Sequence, residues 1–195
     1  DTPGAMSNVE TDGSVQHATV TTTYQGCIVR RTLALVRGRY VLIADRIVAD
    51  KPHEYAWQVR SICPPESPGT RLGKRDVTWP GLDAKAWRAL RPGKAQLTTV
   101  APPFAELTLE KGRFRPQSSK EFLNQVAIAK WRAKNTTALF ALIPNLRETP
   151  DLGWTPLAGQ NLEIKGPEWT DRVIITAEEL SITGSDGQLN CQLHL

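Results

Sequence analysis

Short stretches in which apolar and polar residues alternate follow one another along most of the chain. Alternation with a period of two is typical of β-strands whose two faces meet different surroundings. No long stretch has convincing helical periodicity, apart from a weak one at 82–90 that is either a short helix or a packed loop. The pattern predicts strands over 14–23, 27–36, 39–48, 53–62, 95–100, 104–109, 122–133, 136–143, 161–164, 171–177, 180–183 and 189–195.

The clearest local signal is a long hairpin in which residues 27–36 and 39–48 flank an Arg-Gly dipeptide, which suggests a two-residue turn. If Val36 pairs with Arg39, both faces of the hairpin carry apolar residues. A sheet with one solvated face alternates cleanly, so the pattern favours a second layer or a neighbouring domain on the far side. We therefore expect a large apolar patch here, either exposed or covered by dimerisation.

Segment 64–92 is the least regular part of the chain, because its prolines remove the N–H groups that strand pairing needs. Trp79 and Trp87 lie in it among charged residues. Residues 1–13 are mostly polar and are expected to be a disordered or trimmed lead. The strand-rich remainder, 14–195, predicts a single all-β domain, a large antiparallel β-sandwich.

The composition of the 195-residue chain narrows the class of protein. An apolar fraction of 40% is enough for one sizeable core, which argues against disorder. The formal net charge of +4 suits a polyanionic partner but lacks the dense basic patch of a nucleic-acid binder. No apolar run is long enough to span a membrane, and the three cysteines are too few for a disulfide framework.

Residues 24–61 resemble the C-terminal domain of heparinase II/III-like enzymes, which carries an Arg-bearing strand, a glycine turn, an aliphatic strand ending in Asp and an H-x-Y strand. Residues 127–144 resemble that family's paired strands ending in proline. The residues that carry the first resemblance are Arg30, Arg31, Gly38, Tyr40, Asp45, Arg46, His53, Glu54 and Tyr55.

The resemblance implies a polysaccharide lyase built from two parts. An α/α toroid provides the acid and base groups, and a β-sandwich packs against it along the substrate cleft. Such lyases cleave uronic-acid-containing polysaccharides by β-elimination. This chain would be the sandwich, inactive by itself and periplasmic or secreted. Its expected partners are an acidic polysaccharide and the toroid, with no nucleic acid, no membrane and no cofactor.

Two arginines are the first candidates for substrate binding. Arg30 and Arg31 each offer a planar guanidinium that matches a carboxylate or sulfate. With the two-residue turn, Arg30 lies opposite Asp45, so a cross-strand ion pair competes with that role. Asp45 and His53 alone do not make a metal site, and we expect no bound metal.

Tryptophans are the second set of candidates, because sugar rings stack on indoles. Trp57 and Trp131 lie within strand patterns and are expected to pack in the core. Trp79 and Trp87 are the better surface candidates. If they were coplanar on one surface, a free-standing carbohydrate-binding module would be favoured. A purely structural or interaction sandwich is the remaining alternative.

Overall fold

The computed structural model describes residues 5–61, 63, 65, 69–82, 92–114, 122–146 and 150–195. These described residues form strands and connecting turns, with no helix among them. The strands are β1 (Ala5–Asp12), β2 (Val15–Tyr24), β3 (Cys27–Val36), β4 (Tyr40–Ala49), β5 (His53–Arg60), β6 (Arg71–Leu72), β7 (Asp76–Leu82), β8 (Pro92–Val100), β9 (Glu106–Phe114), β10 (Phe122–Ala133), β11 (Thr136–Asn145), β12 (Gly153–Pro156), β13 (Leu162–Lys165), β14 (Thr170–Ile175), β15 (Glu179–Gly184) and β16 (Asn190–His194).

The strands form three antiparallel sheets. An eight-stranded sheet has the order β1-β2-β3-β4-β11-β8-β7-β6. A three-stranded sheet has the order β5-β10-β9, and a five-stranded sheet contains β12 to β16 in chain order. The chain passes between the eight-stranded and the three-stranded sheet twice. Strand β5 leaves the eight-stranded sheet and β6 to β8 return to it, then β9 and β10 leave it and β11 returns between β4 and β8.

The eight-stranded sheet is the middle layer, because apolar clusters lie on both of its faces. On one face Tyr40 and Leu42 pack with Ile182 of the five-stranded sheet. On the other face Phe140 packs with Trp57 of the three-stranded sheet. The fold is thus an antiparallel β-sandwich, as the sequence predicts, with a further sheet packed on each face of the central one.

The hairpin of β3 and β4 forms where the sequence predicts it, but in a different register. Val36 pairs with Tyr40 and not with Arg39, so three residues make the turn instead of two. Arg37 and Gly38 in this turn have positive φ angles of 53° and 62°. Because successive strand residues point to opposite faces, the one-residue shift changes every cross-strand partner in the hairpin.

The two strands of this hairpin differ in how well the three-stranded sheet covers them. Ile43 of β4 is only 7% exposed, whereas Leu33 and Leu35 on the same face of β3 are 38% and 36% exposed. The second layer over β4 is therefore supplied by this chain. The exposed apolar residues of the hairpin fall in two small groups: Leu33 and Leu35 on this face, called here the β3 strip, and Ile28 and Val48, 49% and 43% exposed, on the other face. The hairpin thus exposes a few apolar residues on each face and not the single large patch that the sequence predicts.

Four strands lie where the sequence predicts none: β1, β6, β7 and β12. Residues 5–12, expected to be part of a lead, form β1, which pairs with β2 at the sheet edge, with an irregularity between Ser7 and Val9. Strand β7 runs through the segment predicted to be irregular. The weak helical pattern at 82–90 lies outside the described residues except for Leu82, the last residue of β7.

Neither a membrane-spanning helix nor a disulfide is found in the described part of the chain. No helix there is long and apolar enough to cross a membrane. Cys27, Cys63 and Cys191 are all buried, and none of them forms a disulfide.

Candidate functional site

Arg31 forms a close ion pair across the hairpin. Its Nε and one terminal nitrogen each donate to a different carboxylate oxygen of Asp45 at 2.6 Å. The side chain of Asp45 is 3% exposed and that of Arg31 is 42% exposed. The hydrogen bonds to Asp45 raise the pKa of the Arg31 guanidinium. The predicted cross-strand ion pair thus exists, but it belongs to Arg31 and not to Arg30.

Arg30 lies on the opposite face of β3, directly across from Arg46 of β4. Both side chains are half-buried. Arg46 donates a hydrogen bond to the main-chain oxygen of Leu195 at 3.1 Å. Within the described residues, no Asp or Glu side chain pairs with either guanidinium. Two positive charges therefore stand side by side on this face, called here the arginine pair (Arg30 and Arg46).

An open cleft of about 510 Å³ lies beside Arg46, where the eight-stranded sheet meets the five-stranded one. Phe104 lines it and is 45% exposed, so part of its ring is accessible. The rest of the lining mixes apolar and polar side chains: Ile47, Val48, Asn135, Thr136, Thr137, Gln160, Ile175, Thr176 and Ala177. A cation, an aromatic ring and polar groups together suit an acidic sugar chain.

The tryptophans proposed as a sugar platform do not form one in the described structure. Trp79 is 1% exposed and packs with Val77 and Ala127 in the core, so its predicted surface position is wrong. Its indole N–H finds no hydrogen-bond partner among the residues that the structure describes. Trp87 lies outside the described residues. Trp79 therefore cannot contribute to an exposed aromatic platform, which is the feature that would favour a free-standing carbohydrate-binding module.

Trp57 and Trp131 pack as the sequence predicts. Trp57 stacks on Phe140 with ring centroids 4.1 Å apart, and Trp131 lies at 5.5 Å from the ring of Tyr55. The hydroxyl of Tyr55 is 3.7 Å from the thiol of Cys27. Burial, together with this contact, raises the pKa of Tyr55 to about 12. These rings join the three-stranded sheet to the central one.

The metal site considered from Asp45 and His53 does not form. Asp45 is bound by Arg31, and Nε2 of His53 lies 3.2 Å from an oxygen of Asp50. In the part of the chain that is described, no group of three or more His, Cys, Asp and Glu side chains could hold a metal ion.

The structure thus separates the residues that the sequence groups together. Arg30 and Arg31 point to opposite faces of one sheet, and Trp79 lies in β7, four positions away from β3 in the strand order. Arg46 is not among the candidates that the sequence indicates. With a three-residue turn in place of two, the same pattern would have placed Arg46 opposite Arg30.

The sequence matches no protein-family model, and no curated protein is similar enough to match it. Solved structures are similar in fold. One is heparan sulfate lyase HepC from Pedobacter heparinus, at 15% identity and a TM-score of 0.64, covering 88% of this chain and 28% of that one. Two structures of heparinase III have 9% and 10% identity and a TM-score of 0.64, and each covers 98% of this chain.

The chain therefore has the β-sandwich fold of a heparinase C-terminal domain. It spans only 27% to 28% of the length of these structures. The resemblance inferred from the hairpin and the proline-ended strands is confirmed at the level of fold.

Proposed function

We propose that this chain is the sandwich domain of a lyase that cleaves uronic-acid-containing polysaccharides by β-elimination, and that it supports a substrate cleft formed with an α/α toroid. The observation that carries the proposal is the fold similarity. It extends over 88% to 98% of this chain and little more than a quarter of each heparinase chain. A domain that matches one part of an enzyme so fully is expected to share that part's role.

The exposed β3 strip is a reason to propose that a partner packs on the central sheet. Strands in a sheet lie roughly 4.8 Å apart, so eight strands span roughly 34 Å and three strands roughly 10 Å. The three-stranded sheet cannot cover the whole of one face. It covers β4 and leaves Leu33 and Leu35 of β3 exposed. We place the contact with the toroid on this uncovered part of the face.

The toroid supplies the acid and base in this proposal. β-Elimination needs a base to remove the proton α to the carboxyl group and an acid to protonate the leaving oxygen. The most buried carboxylates of the described chain, Asp45 and Asp171, are each held by an arginine. These carboxylates are therefore assigned to structure. A polysaccharide substrate fits a periplasmic or secreted location, which we also propose.

The experiment compares the 195-residue chain with the protein encoded by its complete gene. Each is incubated with heparan sulfate and with other uronic-acid polysaccharides, and the ultraviolet absorbance of the unsaturated product is followed. The proposal predicts product only with the complete protein. Turnover by the chain alone, or a complete protein without lyase activity on any of these substrates, would contradict it.

A further inference from the structure

We propose that Arg31 binds the toroid, the helical partner of this chain, by donating hydrogen bonds to neutral oxygen atoms of that partner. This inference rests on the proposed function and adds a polar residue to the contact placed on the β3 strip. Arg31, Leu33 and Leu35 alternate along β3, so their side chains lie on the same face of the central sheet. A guanidinium that is bound from one side only therefore stands beside an exposed apolar surface.

Arg31 lies close enough to the β3 strip to share its partner. It is two residues before Leu33 in β3, which places the two residues roughly 7 Å apart along the strand. Val20 of β2 lies directly across from Arg31 and Ala18 across from Leu33, and both are half-buried. These aliphatic neighbours favour a protein partner over a polysaccharide. Since a helix with its side chains is about 10 Å wide, a helix packed on the strip would also cover Arg31.

The guanidinium of Arg31 keeps three of its five N–H donors. Nε and one terminal nitrogen donate to the two carboxylate oxygens of Asp45, which uses two of them. Arg31 has no other hydrogen bond or ion pair among the described residues. The side chain of Arg31 is 42% exposed and that of Asp45 is 3% exposed, so the pair presents the donors and not the carboxylate to the surface. Asp45 thus fixes the orientation of the guanidinium and leaves three donors available.

A partner that covers Arg31 has to supply acceptors for these donors. In the isolated chain the donors are open to water, but a partner that packs on Leu33 removes that water. Burial of a donor without an acceptor is unfavourable, so a purely apolar partner surface would be a poor match here. The contact is therefore expected to combine apolar packing on the strip with hydrogen bonds to Arg31.

Neutral acceptors match Arg31 better than a further carboxylate does. The charge of Arg31 is already compensated by Asp45, so a second carboxylate would leave a net negative charge in the buried contact. Main-chain carbonyl groups are neutral, and the last four carbonyls of every helix have no partner within the helix. Arginine side chains commonly bond to these groups. We therefore assign the C-terminal end of a partner helix to Arg31.

The test measures how well the complete protein protects a thiol at position 35, four residues from Arg31. Leu35→Cys is introduced into the protein of the complete gene and into the 195-residue chain, and labelling at position 35 is read by mass spectrometry. In the complete protein, Arg31→Met with Asp45→Asn should raise the labelling rate about tenfold, because hydrogen bonds to the partner are lost. In the 195-residue chain the same double change should leave the rate unchanged, and the buried native cysteines should stay unlabelled if the fold is kept.

Lys130→Met with Glu110→Gln is the matched control. These two residues form an exposed ion pair in the three-stranded sheet, and its removal should leave the labelling rate in the complete protein unchanged. Arg31→Lys should give an intermediate rate, since lysine keeps the charge but has fewer donors and no planar fork. Salt should change the rate little, because the acceptors are neutral. A steep rise of the rate with salt would identify an acidic group on the partner and contradict this assignment.

Three further results would overturn the inference. In the first, the double change at Arg31 and Asp45 leaves position 35 as well protected as the control does. In the second, position 35 is labelled equally in the complete protein and in the 195-residue chain. In the third, protection appears only when heparan sulfate oligosaccharides are added, because a sugar and not a protein then covers the strip. Lyase activity of the complete protein decides the proposed function separately, and an active lyase can still fail this test.

Discussion

Arg37, in the turn between β3 and β4, binds the carboxylate of Asp171 in β14, which is completely buried. The Nε atom of Arg37 is 2.9 Å and 3.1 Å from the two carboxylate oxygens of Asp171, and a terminal nitrogen of Arg37 is 3.0 Å from one of them. The hydroxyl of Tyr40 also donates to Asp171, at 3.0 Å. Asp186 accepts a further bond from Arg37 at 2.9 Å. This network joins the tip of the hairpin to the five-stranded sheet.

Asp171→Ala is expected to lower the free energy of unfolding by about 3 kcal/mol, because it leaves a largely buried guanidinium and a buried hydroxyl without their acceptor. Asp186→Ala is the control, since Asp186 is more exposed and its removal leaves Asp171 in place. Its effect should be much smaller. Urea denaturation of the two variants measures both. Equal losses would show that burial of Asp171 does not determine the strength of this network.

Arg31→Met should destabilise the protein more than the double change Arg31→Met with Asp45→Asn. The single change leaves a buried carboxylate unpaired, at a cost of about 2 kcal/mol, whereas the double change removes that charge as well. A double-mutant cycle by denaturation gives the comparison. If the double variant is no more stable than the single one, the unpaired charge of Asp45 is not what costs stability.

Stability should fall in alkaline solution as Tyr55 ionises. In the unfolded chain a tyrosine titrates at about 10, whereas burial raises the pKa of Tyr55 to about 12 in the folded protein. The folded protein therefore binds the proton of Tyr55 more tightly than the unfolded chain does. The stability that this difference contributes is fully present below pH of about 10 and is lost as pH rises through about 12. Burial also raises the pKa of Tyr40.

Tyr55→Phe should reduce this alkaline loss, and Tyr24→Phe, at an exposed position, is the control. Urea midpoints measured across the alkaline range give the stability, and the ultraviolet absorbance of tyrosinate reports the ionisation. A folded protein in which the removal of Tyr55 leaves the alkaline titration unchanged would contradict the assignment.

Strand positions were predictable from the sequence because apolar alternation is a local property. The predicted and observed bounds of β10 coincide, at residues 122–133. The length of the β3–β4 turn was not predictable in the same way. Arg37 has a positive φ, which is unusual for a residue with a side chain, and its partner Asp171 is 134 residues away in the sequence. A contact of that range leaves no local signal.

Trp79 was misplaced because proline suggests an interrupted strand. Pro80 nonetheless lies within β7, paired with Gln96 of β8. On its other side β7 meets only the short β6, whose pairing reaches Val77 and Thr78, so among the described residues Pro80 has a paired strand on one side only, as is usual for proline in a sheet. The candidate site was mispredicted because the turn was taken to be one residue too short. That error paired Asp45 with Arg30, so Arg46 was not recognised as the residue opposite Arg30.

The proposed contact between the β3 strip and a helical partner is tested most directly by thiol labelling. Leu33→Cys is introduced into the 195-residue chain and into the protein of the complete gene. Ile174→Cys, on the outward side of β14 and 40% exposed in the native chain, is the control. We expect Cys at position 33 to react rapidly in the short chain and to be protected in the complete protein, while Cys at position 174 reacts in both. Equal labelling of position 33 in the two proteins would contradict it.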